Sequence, residues 1–234
     1  MRAGRLVSVL LAGSAALPAT AAAGPRVDFE MRFSKPVPGV STGVDVRLFY
    51  RKPGHPKAKP TPVREERFTF PLGMTSDPAS VDACKASDLE LMLEGGSACP
   101  LGSWIGAGHG DTIMTGPPSK GETPLALDAY ADGNVVKLVT QPQGVPVHFV
   151  AHAIAHGRVT TVRIPRSPGG LPDGESTLRR VHNVFPPHSR GGHAFVRTPP
   201  RCPRSRVWRF EGRFTFSDGV VETDVYRMPC RRRP

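Results

Sequence analysis

The chain has 234 residues, with 31 Lys and Arg against 20 Asp and Glu, a formal net charge of +11, and 38% hydrophobic residues, enough apolar material for a core. Twenty-five Gly and 26 Pro argue for many turns and short strands and exclude an architecture of long helices.

The first segment reads as an export signal. Met1 to Arg5 is positive and free of acid, Leu6 to Ala19 is apolar apart from Ser8, Gly13 and Ser14, and small residues crowd Thr20 to Gly24. That order is the grammar of a secretory signal peptide, with cleavage expected after Ala23. The run is shorter than the ~20 residues a membrane-spanning helix needs, and Pro18 interrupts it. No later run is long enough, so residues 24–234 are expected to form a soluble, secreted or envelope-associated domain. In an oxidising compartment the four Cys read as two disulfides with three possible connectivities. Neither pair has the CxxC spacing of zinc or redox sites.

Period-2 alternation dominates the chain from Val27 onward. Val27 to Phe33 places four apolar residues on one face and three charges on the other, and Val44 to Leu48 repeats the pattern. Residues 53–62 hold four Pro among Lys and His and read as an exposed loop. Extended structure resumes over Glu66 to Phe70 and ends at Pro71-Leu72-Gly73. One small helix is expected over about 86–94. Ser87-Asp88-Leu89-Glu90 is a capping box, Leu89, Leu91, Met92 and Leu93 give an apolar flank, and Gly95-Gly96 stops it. Cys84 and Cys99 bracket the helix, and a bridge between them would contribute about 3 kcal/mol in the chain-entropy model.

The glycine-rich run Gly106 to Gly110 lacks the Lys-Ser/Thr of a phosphate loop and reads as a glycine-tolerant strand. His148, His152 and His156 recur every four residues, which on a helix would suit a metal ion. The β-branched run after them, Val159 to Ile164, favours a strand. There they share a face but lie about 13 Å apart in succession, too far for one ion. His182, His188 and His193 sit among Pro and Gly and read as loop, while Trp104 and Trp208 read as core or hairpin-end packing rather than a sugar platform.

Charge is uneven along the chain. Residues 24–150 carry 13 basic and 14 acidic side chains; residues 151–234 carry 16 Arg, no Lys and six acids. An anion-facing surface is one reading, with Arg204, Arg206, Arg231, Arg232 and Arg233 as candidate ligands for an acidic envelope polymer or glycan. A compositional preference for Arg on a solvated surface is the other. A nucleic-acid partner is not expected, because no basic helix or aromatic-interleaved basic strand occurs.

The C-terminal segment reads as a hairpin. With Asp218-Gly219 as a two-residue turn, Phe216 faces Val221, Phe214 faces Thr223 and Gly212 faces Val225 on the apolar side. Cys202 and Cys230 flank it and are expected to pair, leaving Cys84–Cys99 as the companion bridge. No GxSxG nucleophile elbow, cofactor loop or metal cluster stands out.

Two sets of residues carry a resemblance. Phe70-Pro71-Leu72-Gly73, Cys84, and Ala98-Cys99-Pro100 through Ser103 to Gly106 and Gly108 form one. Thr198-Pro199, Cys202, Trp208, Asp218-Gly219 and Pro229-Cys230 form the other. Together, from about Phe68 to Cys230, they resemble uncharacterised secreted proteins of actinobacteria. The resemblance implies a β-rich extracytoplasmic domain with two local disulfides, and no activity or site residue. The loop at 53–62 and the histidine row lie outside its pattern. The expected fold is thus an all-β, disulfide-stapled sandwich of about ten short strands and one small helix. The expected function is a non-catalytic module without cofactor or metal, against the alternative of a secreted hydrolase using dispersed acidic or His residues.

Overall fold

The computed structural model describes residues 24–116, 119–170 and 174–231. Residues 1–23, read from sequence as an export signal, and Arg232 and Arg233 lie outside the described residues.

Eleven strands form one antiparallel sheet. They are β1 (Val27–Phe33), β2 (Val44–Tyr50), β3 (Val63–Thr69), β4 (Trp104–Gly116), β5 (Ser119–Asp132) and β6 (Val135–Pro142), followed by β7 (Phe149–His156), β8 (Val159–Arg163), β9 (Thr177–Phe185), β10 (Val207–Phe216) and β11 (Val221–Pro229). Their spatial order is β1-β2-β9-β4-β5-β6-β7-β8-β3-β10-β11. The mostly β class, the one α-helix among the described residues and both disulfides agree with the sequence reading. The facing layers are opposite walls of this one sheet, which coils until its edge strands β1 and β11 meet.

Side chains close that seam. Glu222 Oε2 accepts from the Arg26 N–H at 2.8 Å, Asp224 Oδ2 from the Phe29 N–H at 3.2 Å, and Met228 Sδ from the Phe33 N–H at 3.3 Å. Edge donors that would otherwise be unpaired are thereby satisfied. This depends on a hairpin register one residue away from the expected one. Phe214 faces Glu222, and Gly212 faces Asp224. The turn is a three-residue loop, Ser217-Asp218-Gly219, closed by the Val220 carbonyl accepting from the Phe216 N–H at 2.9 Å. Gly219, at φ 81°, takes the left-handed position such a loop requires. A one-residue slip exchanges the faces of a strand. Val221 is therefore exposed, while Glu222, Asp224 and Met228 turn towards β1.

The half of the barrel around β1, β3 and β10 is filled with rings. Phe33 meets Trp208 and Phe210 edge-on at 5.2 and 5.0 Å, and Phe29 stacks on Phe68 at 5.6 Å. Trp208, 2% exposed, is core packing as expected. On the glycine strand β4, a Cβ at Gly108 would lie 2.4 Å from the His182 carbonyl oxygen, and one at Gly110 would lie 2.1 Å from that of Arg180. These glycines let β9 approach the inner side of β4 closely, at a corner of the barrel.

The helix α1 (Asp88–Glu94) begins with the expected box, Ser87 and Glu90 bonding each other's backbone N–H, and ends at Gly95. The Cys84–Cys99 bridge clasps this segment to the outer face of β5–β7, where it buries Leu91 against Tyr130 and Val139. Lys137 anchors it, donating to the Cys84 and Ala86 carbonyls at 2.9 and 2.7 Å. The Cys202–Cys230 bridge ties the start of β10 to the end of β11.

Candidate functional site

The other half of the barrel is hollow. Val136 and Leu138 of β6, Phe149, Ala151 and Ala153 of β7, and Thr160 and Val162 of β8 line one wall. Met114, Leu125, Leu127, Leu178 and Val181 line the opposite one. They line a partly open cavity of about 1300 Å³, which also reaches Asp88 and Met92 of α1. Its position follows from side-chain size, because β7 points alanines inward where β3 and β10 point phenylalanines. A space of this size, open at a mouth, far exceeds the roughly water-sized voids of a packed protein interior.

On the filled half of the barrel the outward positions are polar. Asp28, Glu30 and Arg32 on β1, Arg67 on β3, and Arg209, Glu211 and Arg213 on β10 alternate with the core. Over these strands the exterior is polar and the interior apolar, the reverse of a barrel wall that faces lipid. Among the described residues no helix is long and apolar enough to cross a membrane.

Away from the mouths, Glu66 sets a buried carboxyl against this apolar interior. Glu66 on β3 lies across from Phe214 and Val162 in the strand pairing and is 5% exposed. Its Oε1 accepts from the Tyr50 hydroxyl at 2.5 Å. Burial pushes the Glu66 carboxyl up to about 7, and the Tyr50 hydrogen bond pulls in the opposite direction. Tyr50 is itself pushed well above its ordinary value, first by burial and then by the nearby carboxylate. Glu66 is thus a proton-exchanging group near neutrality, a donor when neutral and an acceptor when ionised. Its described hydrogen-bond partner is a tyrosine rather than a histidine or second acid.

One mouth of the cavity is rich in cations. Arg64 makes a two-point ion pair with Glu175, one arm at 2.7 Å. Lys59 donates to the Glu175 carbonyl. Arg166 is exposed beside them on the same rim and makes no ion pair with a described residue. The Arg64 hydrogen bond holds the Glu175 carboxyl below the usual range, with smaller contributions from Arg166 and Lys59.

The candidate anion ligands are elsewhere. Arg204, Arg206 and Arg231 are exposed around the Cys202–Cys230 clasp, and none makes an ion pair with a described residue. Other Arg of the C-terminal half are matched by acids of the N-terminal half. Arg180 pairs with Asp111 and Glu122, and Arg190 with Asp82. The sequence asymmetry is not carried over intact into space, because β9 lies between β2 and β4.

The histidine row lies on and beside β7, the expected strand. His152 meets Asp88 of α1 at 2.9 Å, the His148 N–H donates to the Met92 carbonyl, and His156 is exposed. His182 and His193 are corrections: His193 lies in a two-residue strand paired with Ser189–Arg190, and His182 belongs to β9, within 3.3 Å of Asp45 and edge-on to His109. The neighbouring Pro/Gly-rich sequence hid the alternation of Val181, Asn183 and Phe185. Among the described residues no group of three His, Cys, Asp or Glu is placed to hold a metal ion. Sequence reasoning missed Glu66, Tyr50 and Arg64. The signal was available, since Glu66 shares strand parity with Phe68, as Tyr50 does with Val46 and Leu48. No family model, curated protein or solved structure matches the chain.

Proposed function

We propose that the chain is a non-catalytic, extracytoplasmic binding module that holds an apolar small molecule inside its barrel. The observation that carries this reading is the cavity of about 1300 Å³ with its aliphatic and aromatic lining. Small-molecule sites are concave, predominantly apolar and supplied with a few polar groups that orient the ligand. Glu66, on the lining and hydrogen-bonded by Tyr50 from behind, is such a group. The two disulfides suit an oxidising compartment. Titration with an uncharged environment-sensitive dye, N-phenyl-1-naphthylamine, tests the reading. Saturable one-to-one binding with a blue shift is expected, together with its loss in Ala151→Trp, which puts an indole into the lumen. Absence of binding, or equal binding by a folded Ala151→Trp variant, contradicts it.

A second reading rests on Arg204, Arg206 and Arg231, exposed and without ion-pair partners among the described residues. They would hold an acidic polymer or glycan at the clasp, and retention on a polyanion column would fall with salt. Equal retention after changing all three to Gln rules them out.

A further inference from the structure

The cavity alone leaves the ligand's chemistry open, and the rim narrows it. Arg64, Arg166 and Glu175 line the cavity at the end where β3 begins and β8 has ended. Lys59 reaches the Glu175 backbone from the exposed loop. Three cations therefore lie near Glu175, whose carboxylate Arg64 alone grips, at two points. Arg166 remains exposed over the opening. Immediately inside this rim the wall becomes apolar, with Ile164, Val162 and Phe149. At the far end Arg158 is the lining residue of like charge, without a comparable cluster among the described residues.

We infer that the ligand is an anionic amphiphile, its apolar chain in the lumen and its carboxylate or phosphate head between Arg64 and Arg166. This inference rests on the cavity reading above and deepens it. The guanidinium fork matches planar and tetrahedral oxyanions and gives charge-assisted hydrogen bonds stronger than neutral ones. The Arg64–Glu175 pair has the role of a stand-in: Glu175 occupies the guanidinium until a head group replaces or joins it. The polar head stays at the rim in contact with water, so its charge need not be buried. The twelve-carbon chain of a simple test ligand gains from burial roughly in proportion to its length.

The experiment displaces N-phenyl-1-naphthylamine from the folded chain with three ligands of one chain length: dodecanoate, dodecyl phosphate and dodecanol. One or both anions are expected to bind about tenfold more tightly than the alcohol, the equivalent of one charge-assisted contact. Preference between the two anions identifies the head group. The double variant Arg64→Gln/Arg166→Gln is expected to lose that advantage while binding the dye and dodecanol as before. Arg158→Gln is expected to retain it. Equal binding of all three ligands by the unaltered chain overturns the inference while leaving the cavity reading intact. So does an anion advantage that persists in the double variant. Failure of the dye itself to bind overturns the cavity reading and this inference with it.

Discussion

Replacing Glu66 by glutamine keeps the shape of the side chain and removes its ionisation, so the pair of proteins isolates one buried proton. In the folded chain the carboxyl is pushed by burial from an ordinary value of 4.5 to about 7. The folded state then keeps a proton that the unfolded chain releases. The associated stability is fully present below pH 4.5 and is lost as pH rises through 7, after which it is flat. The gap between the two values corresponds to about 3 kcal/mol. Carboxylates with the opposite displacement, including Glu175 under Arg64 and Asp132 under Lys85, weaken the fold in acid and are common to both proteins. They cancel in the difference. Urea unfolding from pH 4 to 8.5, followed by tryptophan fluorescence, gives that difference directly. Glu66→Gln is expected to gain about 3 kcal/mol on the unaltered chain between the two ends of this range. Tyr50→Phe, which deletes the donor that favours the ionised form, is expected to move the transition above pH 7. Parallel pH profiles for the Glu66→Gln and unaltered chains would show that Glu66 is not held in an apolar interior.

Gly110→Ala brings a Cβ to 2.1 Å from the Arg180 carbonyl oxygen, a backbone atom that has no rotamer to move to. It is expected to destabilise by at least the 1–3 kcal/mol typical of overpacking, as read by thermal unfolding; an unchanged midpoint would remove the account of the β4–β9 corner. Replacing Cys202 and Cys230 together by Ala opens a loop with a sequence separation of 28. Unfolding stability is expected to fall by about 3–4 kcal/mol in the chain-entropy model, and a loss confined to a few tenths would contradict it.

Local chemistry carried the sequence reading furthest. The Ser87–Glu90 box, the two short-range disulfides and the β1 and β2 alternations are decided by residues near one another in the chain. The hairpin shows where such reasoning slips. Asp218-Gly219 marks the turn correctly, yet whether Ser217 belongs to the loop depends on the Pro62 carbonyl accepting from its N–H, a contact from β3's approach. That one residue decides whether Val221 or Glu222 faces inward. The cavity was still less legible, because it is a sum over strands distant in sequence. Ala151 and Ala153 look ordinary until Leu125, Leu178 and Val181 are seen across the lumen. The charge asymmetry is redistributed for the same topological reason, since Arg180 and Arg190 find Asp111 and Asp82 across the fold.

Methyl chemical-shift mapping with an uncharged apolar ligand tests the central claim most directly, because strand alternation supplies its own control. Val136, Leu138, Ala151 and Ala153 point into the lumen, whereas Val139 on β6 packs outward beneath the Cys84–Cys99 segment and Ile154 on β7 has the outward parity. The account predicts saturable shifts at the four inward methyl-bearing residues, with Val139 and Ile154 little changed. Shifts confined to the exposed Leu89, Leu93 and Leu101, with the inward methyls unmoved, would contradict it.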